Sequence, residues 1–412
     1  VRDFMAEIIV PFGKDNIKIS NIKDFDIIDV GEKRNTSLSY QQMKEKIDKF
    51  IDGISFQGMK NIAVAIPDIT RPRVPIEIFQ HILKRFLSSF QGNIKIFVGT
   101  GLHNYRLSDK NELIPENLVH NDKVQVFFHD ARSEFNIYVG ETKPGTPVFI
   151  EKDYLLSDLK ISIGIVEPHQ FAGFSGGAKG VVIGLGGEKT ISKNHSLLID
   201  PNSKTGLLEG NPIREDIEEA GKMIKIDYLI NFVMNANNVP MEIFCGKNPE
   251  SYLKAVEYLK DLVGYKIDKT YDMVITSPGG FPRDIDLYQA QKALTPATSF
   301  CKDNGIILLL AECSRGAGEE NYIELIKRFK TPEKVIKNFD FDHFAVGPHK
   351  ALIFAKAALN NKLFLYSTNK QLTKELKRTF INPIEDLQVF LKKEGETKSI
   401  GILPRALQLL PL

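Results

Sequence analysis

No tryptophan occurs among the 412 residues, and cysteine appears only three times, as Cys245, Cys301 and Cys313. An odd count without C-x-x-C spacing excludes a disulfide framework and a Cys-rich zinc or iron–sulfur site, and it makes a reducing cytoplasm the expected compartment. Long apolar runs are missing as well. None approaches the roughly 18 residues needed to cross a bilayer, and the opening Val-Arg-Asp-Phe-Met lacks the apolar core and cleavage site of a signal peptide, so no membrane association is expected. Charge of one sign is not in excess either. Lys and Arg number 54 against 52 Asp and Glu, a net of +2, so no global field holds nucleic acid or an anionic membrane, and any anion must be caught locally. There is no internal repeat or biased segment. A hydrophobic share of 42 % and a charged share of 26 % are those of a folded globular chain, and the length calls for two or three domains.

What is present is alternation. Asn61–Ile66, Asn93–Val98, Val124–Phe128, Lys160–Val166, Tyr228–Val233, Asp272–Thr276 and Gly305–Leu310 read as strands, most of them continuous apolar runs of the kind buried on both faces. Between them, Val74–Ser89, Pro249–Val263, Asp286–Asp303, Tyr322–Arg328 and His349–Leu359 repeat apolar residues at three and four and read as helices. The expected fold is α/β, two domains of strand–helix layers with parallel sheets and an active-site cleft between them. The polar stretch Val263–Tyr271 is the expected boundary. Residues 1–265 then form a larger domain, which the apolar tail 400–412 rejoins, and residues 270–399 a smaller one.

The densest chemical signal is Glu167–Leu197, which follows an expected strand and combines seven glycines with Lys179, His169 and His195. Glycine lets backbone approach a ligand closely and adopt positive φ, as anion-cradling loops require. The two familiar phosphate patterns nevertheless fail, because Gly180 rather than Ser or Thr follows Lys179 and because Lys189 breaks G-x-G-x-x-G. A plain glycine-rich connection has the same composition. Asp68, Thr70, Arg71 and Arg73 leave another expected strand at its carboxyl end, where open α/β sheets bind ligands and where arginine suits a carboxylate or phosphate. His103 follows a third strand in Gly99-Thr-Gly-Leu-His103. Three histidines at loops can act as acid–base groups near neutrality, and their spacing is not that of a zincin. Further on, Tyr288 and Lys292 stand at i and i+4 of an expected helix, with Gln289 beside them.

Taken in order, IPDITRPR, GTGLH, FFHDAR, GTPVFI, EPHQFAGFSGGAKG, Asn194-His195, GNPIRED, DLYQAQKAL and VGPHKA resemble the nickel-pincer lactate racemase family through most of the chain. The resemblance implies a two-domain enzyme with an organonickel cofactor made from a nicotinate nucleotide, whose ring carbon and two sulfurs hold nickel. Lys179 matches the lysine that tethers it through a thioamide, and His195 the imidazole that completes the metal's coordination. Asp68, Thr70, Gly176 and Gly177 match cofactor-side positions. His103 and His169 match the acid–base pair, and Arg71, Lys292, Tyr288 and Gln289 the substrate side. Ile183 departs from the family pattern, which carries proline there.

The implied reaction is racemisation or epimerisation of a short 2-hydroxy acid by reversible hydride transfer, with cofactor-biosynthesis proteins as partners. A malate-like or larger hydroxy acid is the alternative substrate, because Arg73 stands two residues beyond Arg71. A nucleotide-dependent oxidoreductase and a non-catalytic ligand-binding homologue are the other readings. The broken dinucleotide pattern argues against the first, and the intact His103, His169, Lys179 and His195 against the second.

Overall fold

The computed structural model describes residues 6–22, 24–30, 37–69, 71, 74–102, 113–235, 239–340 and 347–412. The chain divides into two units, one made of Lys33–Leu262 and the other of Val1–Glu32 together with Val263–Leu412.

The Lys33–Leu262 unit is built on a six-stranded sheet in the order Pro240–Lys247, Tyr228–Met234, Leu159–Val166, Asn61–Pro67, Asn93–Gly99, Val124–Phe128. Five strands run parallel and the Pro240–Lys247 edge runs antiparallel to its neighbour. The central strands bury both faces, as their unbroken apolar runs require; Ile62 to Ile66 are all buried. Helix Tyr40–Asp52 starts in a reciprocal cap between Ser39 and Gln42 and lays Met43, Ile47 and Ile51 on one face of the core. Ile78, Ile82, Leu83 and Phe86 of helix Ile76–Ser89 meet the same core. The first strand of this unit, Asn61–Pro67, sits in the middle of its sheet. Later strands are added first on one side and then, from Leu159–Val166 onward, on the other, so the order reverses between Asn61–Pro67 and Leu159–Val166. At such a switch the connections leave in opposite directions and open a crevice beyond the carboxyl ends of the two strands.

The second unit is built on a six-stranded, all-parallel sheet in the order Ile381–Ile384, Lys362–Tyr366, Cys301–Leu310, Tyr271–Thr276, Ile400–Leu403, Asp26–Ile27. This corrects both ends of the expected division. The tail does not return to the first domain, because Ile400–Leu403 is buried on both faces and pairs with Tyr271–Thr276. The first 32 residues belong with it. Asp26–Ile27 extends the sheet beyond Ile400–Leu403, and the hairpin Ala6–Phe12/Asp15–Ile22 contributes Val10, Phe12, Ile19 and Ile22 to a core shared with Met273, Leu308 and Leu391. Among the described residues no helix is long and apolar enough to cross a membrane.

Asp272 ties the start of Tyr271–Thr276 to Ser399, just ahead of Ile400–Leu403. Its carboxylate accepts the Ser399 hydroxyl at 2.6 Å and backbone N–H at 3.0 Å, and Lys302 at 2.9 Å. The Ser399 hydroxyl, then Lys302, hold the carboxyl well below the usual carboxylate range. A carboxylate depressed in the folded state adds stability above its unfolded pKa, and the gain fades as pH falls through the folded value. Asp272→Asn should therefore melt earlier than the parent at pH 7. The gap should narrow once the pH drops below about 3.9, the value of an unfolded aspartate. A gap in melting temperature that persists unchanged into acid contradicts this linkage.

Candidate active site

Two segments leave the first unit's sheet at its switch point. Past Pro67 the chain turns at once, with the Arg71 N–H donating to the Asp68 carbonyl at 3.2 Å; Asp68 is buried and Arg71 exposed. Thr70, Arg73 and His103 lie outside the described residues. The glycines before His103 admit a neighbouring backbone. Gly101 N–H donates to Gly184 O at 3.0 Å, and a Cβ on Gly99 would sit 3.1 Å from Gly184 Cα. The end of strand Asn93–Gly99 thus packs directly on the glycine-rich segment.

That segment begins with a small antiparallel pairing in which His169 faces Gly173 and Pro168 faces Phe174. Ser175 closes it, accepting from Glu167 N–H at 3.0 Å and donating to Ile165 O at 2.8 Å. Gly176 and Gly177 follow at φ 76° and 60°. A Cβ on Gly177 would lie 2.7 Å from Arg214 Nη2 and 2.8 Å from the Tyr252 ring, and one on Gly176 would lie 2.7 Å from Val166 Cγ2. These glycines therefore let the turn close on the protein itself, and the space their missing side chains leave is filled by Arg214, Tyr252 and Val166 rather than left for a ligand. Arg214 is buried, stacks on Tyr252 at 4.0 Å, pairs with Glu218 and donates to Gly176 O at 3.3 Å. Immediately beyond, half-buried Lys179 opens the short helix Lys179–Val182, and Ile183 N–H closes the turn on Lys179 O at 3.1 Å.

His195 projects from helix Glu188–Ser196 and is 9 % exposed. The helix is anchored on both flanks. Thr190 Oγ1 donates to Pro147 O at 2.7 Å and accepts Phe149 N–H at 2.8 Å. Asn194 Nδ2 donates to Asp216 at 2.7 Å and to Ile213 O at 3.1 Å. Asp216, 1 % exposed, also takes the hydroxyls of Thr142 and Thr146. Phe171 joins the two imidazoles, with its ring centroid 4.6 Å from that of His169 and 5.3 Å from that of His195, both edge to face. Ala172 N–H donates to His169 Nδ1 at 3.2 Å. His129, by contrast, is structural, since its Nε2 contacts Gly186 O at 2.9 Å and its Nδ1 contacts Glu151 at 3.3 Å in a fully buried setting.

Phe171, Arg214 and Asp216 escaped sequence reasoning as working residues. A usable signal existed for one of them. On helix Pro212–Ile224 the apolar stripe is Ile213, Ile217, Ala220 and Ile224, and Asp216 falls within it. A charge on such a stripe needs donors waiting in the core.

In the second unit, Asp286 caps helix Leu287–Ala290 by accepting Gln289 N–H at 2.8 Å, and burial raises its carboxyl above the usual value. The single helix expected over Asp286–Asp303 is instead three pieces, with a 3₁₀ turn at Gln291–Ala293 between Leu287–Ala290 and Leu294–Phe300. Pro296 accounts for the break, because it has no N–H for Lys292 O and its ring crowds that carbonyl. A 3₁₀ turn aligns i with i+3. Lys292 consequently meets Gln289, donating to Oε1 at 2.6 Å, in place of the expected register with Tyr288.

A doubly wound sheet whose switch point presents a histidine pair, an aromatic spacer and a lysine after a glycine turn has the make-up of an α/β enzyme, in which the carboxyl ends of the strands are the place for a small ligand. Residues 12–206 match the lactate racemase N-terminal domain and residues 267–408 the lactate racemase C-terminal domain. The lactate racemase of Thermoanaerobacterium thermosaccharolyticum is 30 % identical over 408 residues, 94 % of each chain, and that of Lactiplantibacillus plantarum 30 % over 370 residues, 85 % of each. The solved lactate racemase apoprotein of the former superposes with a TM-score of 0.86 at 27 % identity, covering 99 % of this chain and all of that one. A Thermotoga maritima protein shares the fold alone, with a TM-score of 0.70 at 16 % identity, over 91 % of this chain and 98 % of its own. The chain belongs to the lactate racemase family. It is an isomerase, a racemase.

Because Gly177 combines positive φ with a filled Cβ position, Gly177→Ala should lose about 2–5 kcal/mol of stability, from about 1–2 for the left-handed backbone and about 1–3 for overpacking. Equilibrium denaturation checks this, and a loss below about 0.5 kcal/mol contradicts the packing account.

Proposed function

We propose that the chain interconverts the enantiomers of a short 2-hydroxy acid, lactate first, with a lysine-tethered nickel-pincer nucleotide and two histidine acid–base groups. The observation that carries this reading is the contact of Phe171 with both His169 and His195 in the segment that delivers Lys179, within a chain of the lactate racemase family.

The residues fit such a group. Among the described residues no three His, Cys, Asp or Glu side chains gather as metal ligands; His195 would offer one imidazole, and a chelating cofactor would supply the other ligands of a metal held there. Imidazole with sulfur donors suits nickel(II). Lys179 offers a primary amine, the nucleophile a thioamide requires, and Asp68 with Thr70 is assigned to the nucleotide. When bound, the group supplies a hydride acceptor, which spares the enzyme a carbanion next to a carboxylate.

The chain's own residues handle charge and proton. Arg71 and Lys292 neutralise the substrate carboxylate, and the Gln289 carbonyl orients the Lys292 ammonium. Tyr288 is likewise assigned to the substrate. With Nδ1 of His169 accepting from Ala172, Nε2 is the nitrogen that exchanges a proton with the substrate hydroxyl. A planar 2-oxo acid has two faces, and His103 serves as the proton carrier for the other. Cofactor-assembly proteins are the implied partners, and a reducing cytoplasm suits the three free cysteines.

Made together with cofactor-assembly proteins, the chain should interconvert L- and D-lactate, contain nickel and show added mass on the Lys179 peptide. Active enzyme with unmodified Lys179 overturns the tether. His169→Ala should lower turnover about 10²–10⁴-fold with nickel content unchanged. Near-normal turnover removes His169 as an acid–base group.

A further inference from the structure

Tyr288 is enclosed on several sides within its own unit. Its N–H donates to Ala317 O at 3.1 Å, the same carbonyl that accepts the Tyr322 hydroxyl at 2.8 Å. The Tyr322 ring meets it edge-on at 5.9 Å, and that ring in turn stacks on Phe354. His349, buried with Nδ1 accepting Gly347 N–H at 3.1 Å, presents its ring perpendicular to Tyr288 at 6.5 Å. A further neighbour is a cation. Lys350 opens helix Lys350–Leu359, is 4 % exposed, and holds its ammonium 5.1 Å from the centroid of the Tyr288 ring.

Withdrawing a lysine ammonium from water costs several kcal/mol in a protein interior, so a buried lysine that lays its ammonium over an aromatic ring is a specialised arrangement. Attraction to the ring quadrupole offsets part of that cost and strengthens as the pair is desolvated. It acts on the tyrosine in two ways. The ring is held in one orientation, and electron density drawn toward the cation leaves the phenolic O–H a stronger donor.

We propose that Lys350 is a positioning residue for the substrate, acting through Tyr288 by fixing its ring and strengthening hydrogen-bond donation from its hydroxyl to the substrate carboxylate. This rests on the assignment of Tyr288 to the substrate. A donor to the carboxylate binds substrate and transition state alike, so its loss shows in KM rather than in kcat.

The test is a double-mutant cycle on loaded enzyme, with Lys350→Met, Tyr288→Phe and both together, and Lys350→Arg as the conservative variant. Methionine keeps the length of the chain and removes the buried charge, and matching circular dichroism and melting curves check that the fold is kept. Lys350→Met should raise KM for lactate up to about tenfold, since it weakens one hydrogen bond to a charged group without removing it, with kcat within about threefold. In the Tyr288→Phe background the same change should add nothing, and Lys350→Arg should recover most of the KM because arginine also stacks on aromatic faces. An equal KM increase in both backgrounds, or none in the wild-type background, overturns the role of Lys350.

A second readout needs no cofactor. The near-ultraviolet difference spectrum between the unloaded parent and Lys350→Met should contain a tyrosine band that disappears in the Tyr288→Phe background, and its absence overturns the contact itself. If the band is present but the loaded parent racemises no 2-hydroxy acid, the functional reading fails and the role of Lys350 fails with it. If the parent is active and Lys350→Met leaves KM unmoved, only the role of Lys350 is lost.

Discussion

One helix holds the first unit's candidate site together, and it does so with two charges buried two residues apart. Asp216 takes donors from Asn194, Thr142 and Thr146, which joins the helix bearing His195 to the loop between strands Asn136–Glu141 and Pro147–Glu151. Arg214 reaches the other way, to the Gly176 carbonyl and across the face of Tyr252. A buried carboxylate tolerates the interior only while its donors are in place, and those donors would be stranded without it. Neither loop can move without uncovering a charge. The turn that leads to Lys179 and the helix that carries His195 are therefore indexed to the same rigid element, Pro212–Ile224.

The sheet contributes location, and the glycines contribute closeness. Because strand order reverses between Asn61–Pro67 and Leu159–Val166, Asp68 and the His169 segment emerge side by side at the carboxyl ends of adjacent parallel strands. Gly99, Gly101 and Gly184 then bring a third strand end against the same segment, backbone to backbone. Any side chain at Gly184 would strike Gly180 O at 2.2 Å. The glycine density of this stretch is explained by protein packing on protein, which composition alone cannot tell apart from a ligand cradle.

That ambiguity marks where sequence reasoning stops. Buried parallel strands announce themselves, since two covered faces demand unbroken apolar runs; Asn61–Pro67, Asn93–Gly99 and Leu159–Val166 lie within a residue of where the pattern predicts them. Asp26–Ile27 had no such mark. Two residues, both exposed, carry no periodicity, yet this pairing and the preceding hairpin decide to which unit the first 32 residues belong. Pro296 was visible well inside the helix expected over Asp286–Asp303, where its missing N–H and its ring against Lys292 O already call for a break. What the fold adds is the 3₁₀ turn that takes up the break at Gln291–Ala293. Candidate chemistry was legible by residue type and order, while the groups that hold it were not. Asp216 and Arg214 read as ordinary helix charges until their partners, up to 74 residues away, are known.

The two histidines joined through Phe171 differ in how firmly they are held, and the difference matches the proposed division of labour. His195 lies on a helix pinned at Thr190 and Asn194 and is nearly inaccessible. His169 belongs to a two-residue strand, is half-buried, and accepts the Ala172 N–H on Nδ1 at 3.2 Å. A metal ligand gains from rigidity, because its geometry must be the same at each turnover. A proton carrier must reach the substrate oxygen and change protonation state, which a fully enclosed imidazole could do only against the cost of burying its charge. Phe171 reconciles the two demands, since an apolar ring in contact with both imidazoles keeps them close while offering neither a hydrogen-bond partner that would compete for the proton or the metal.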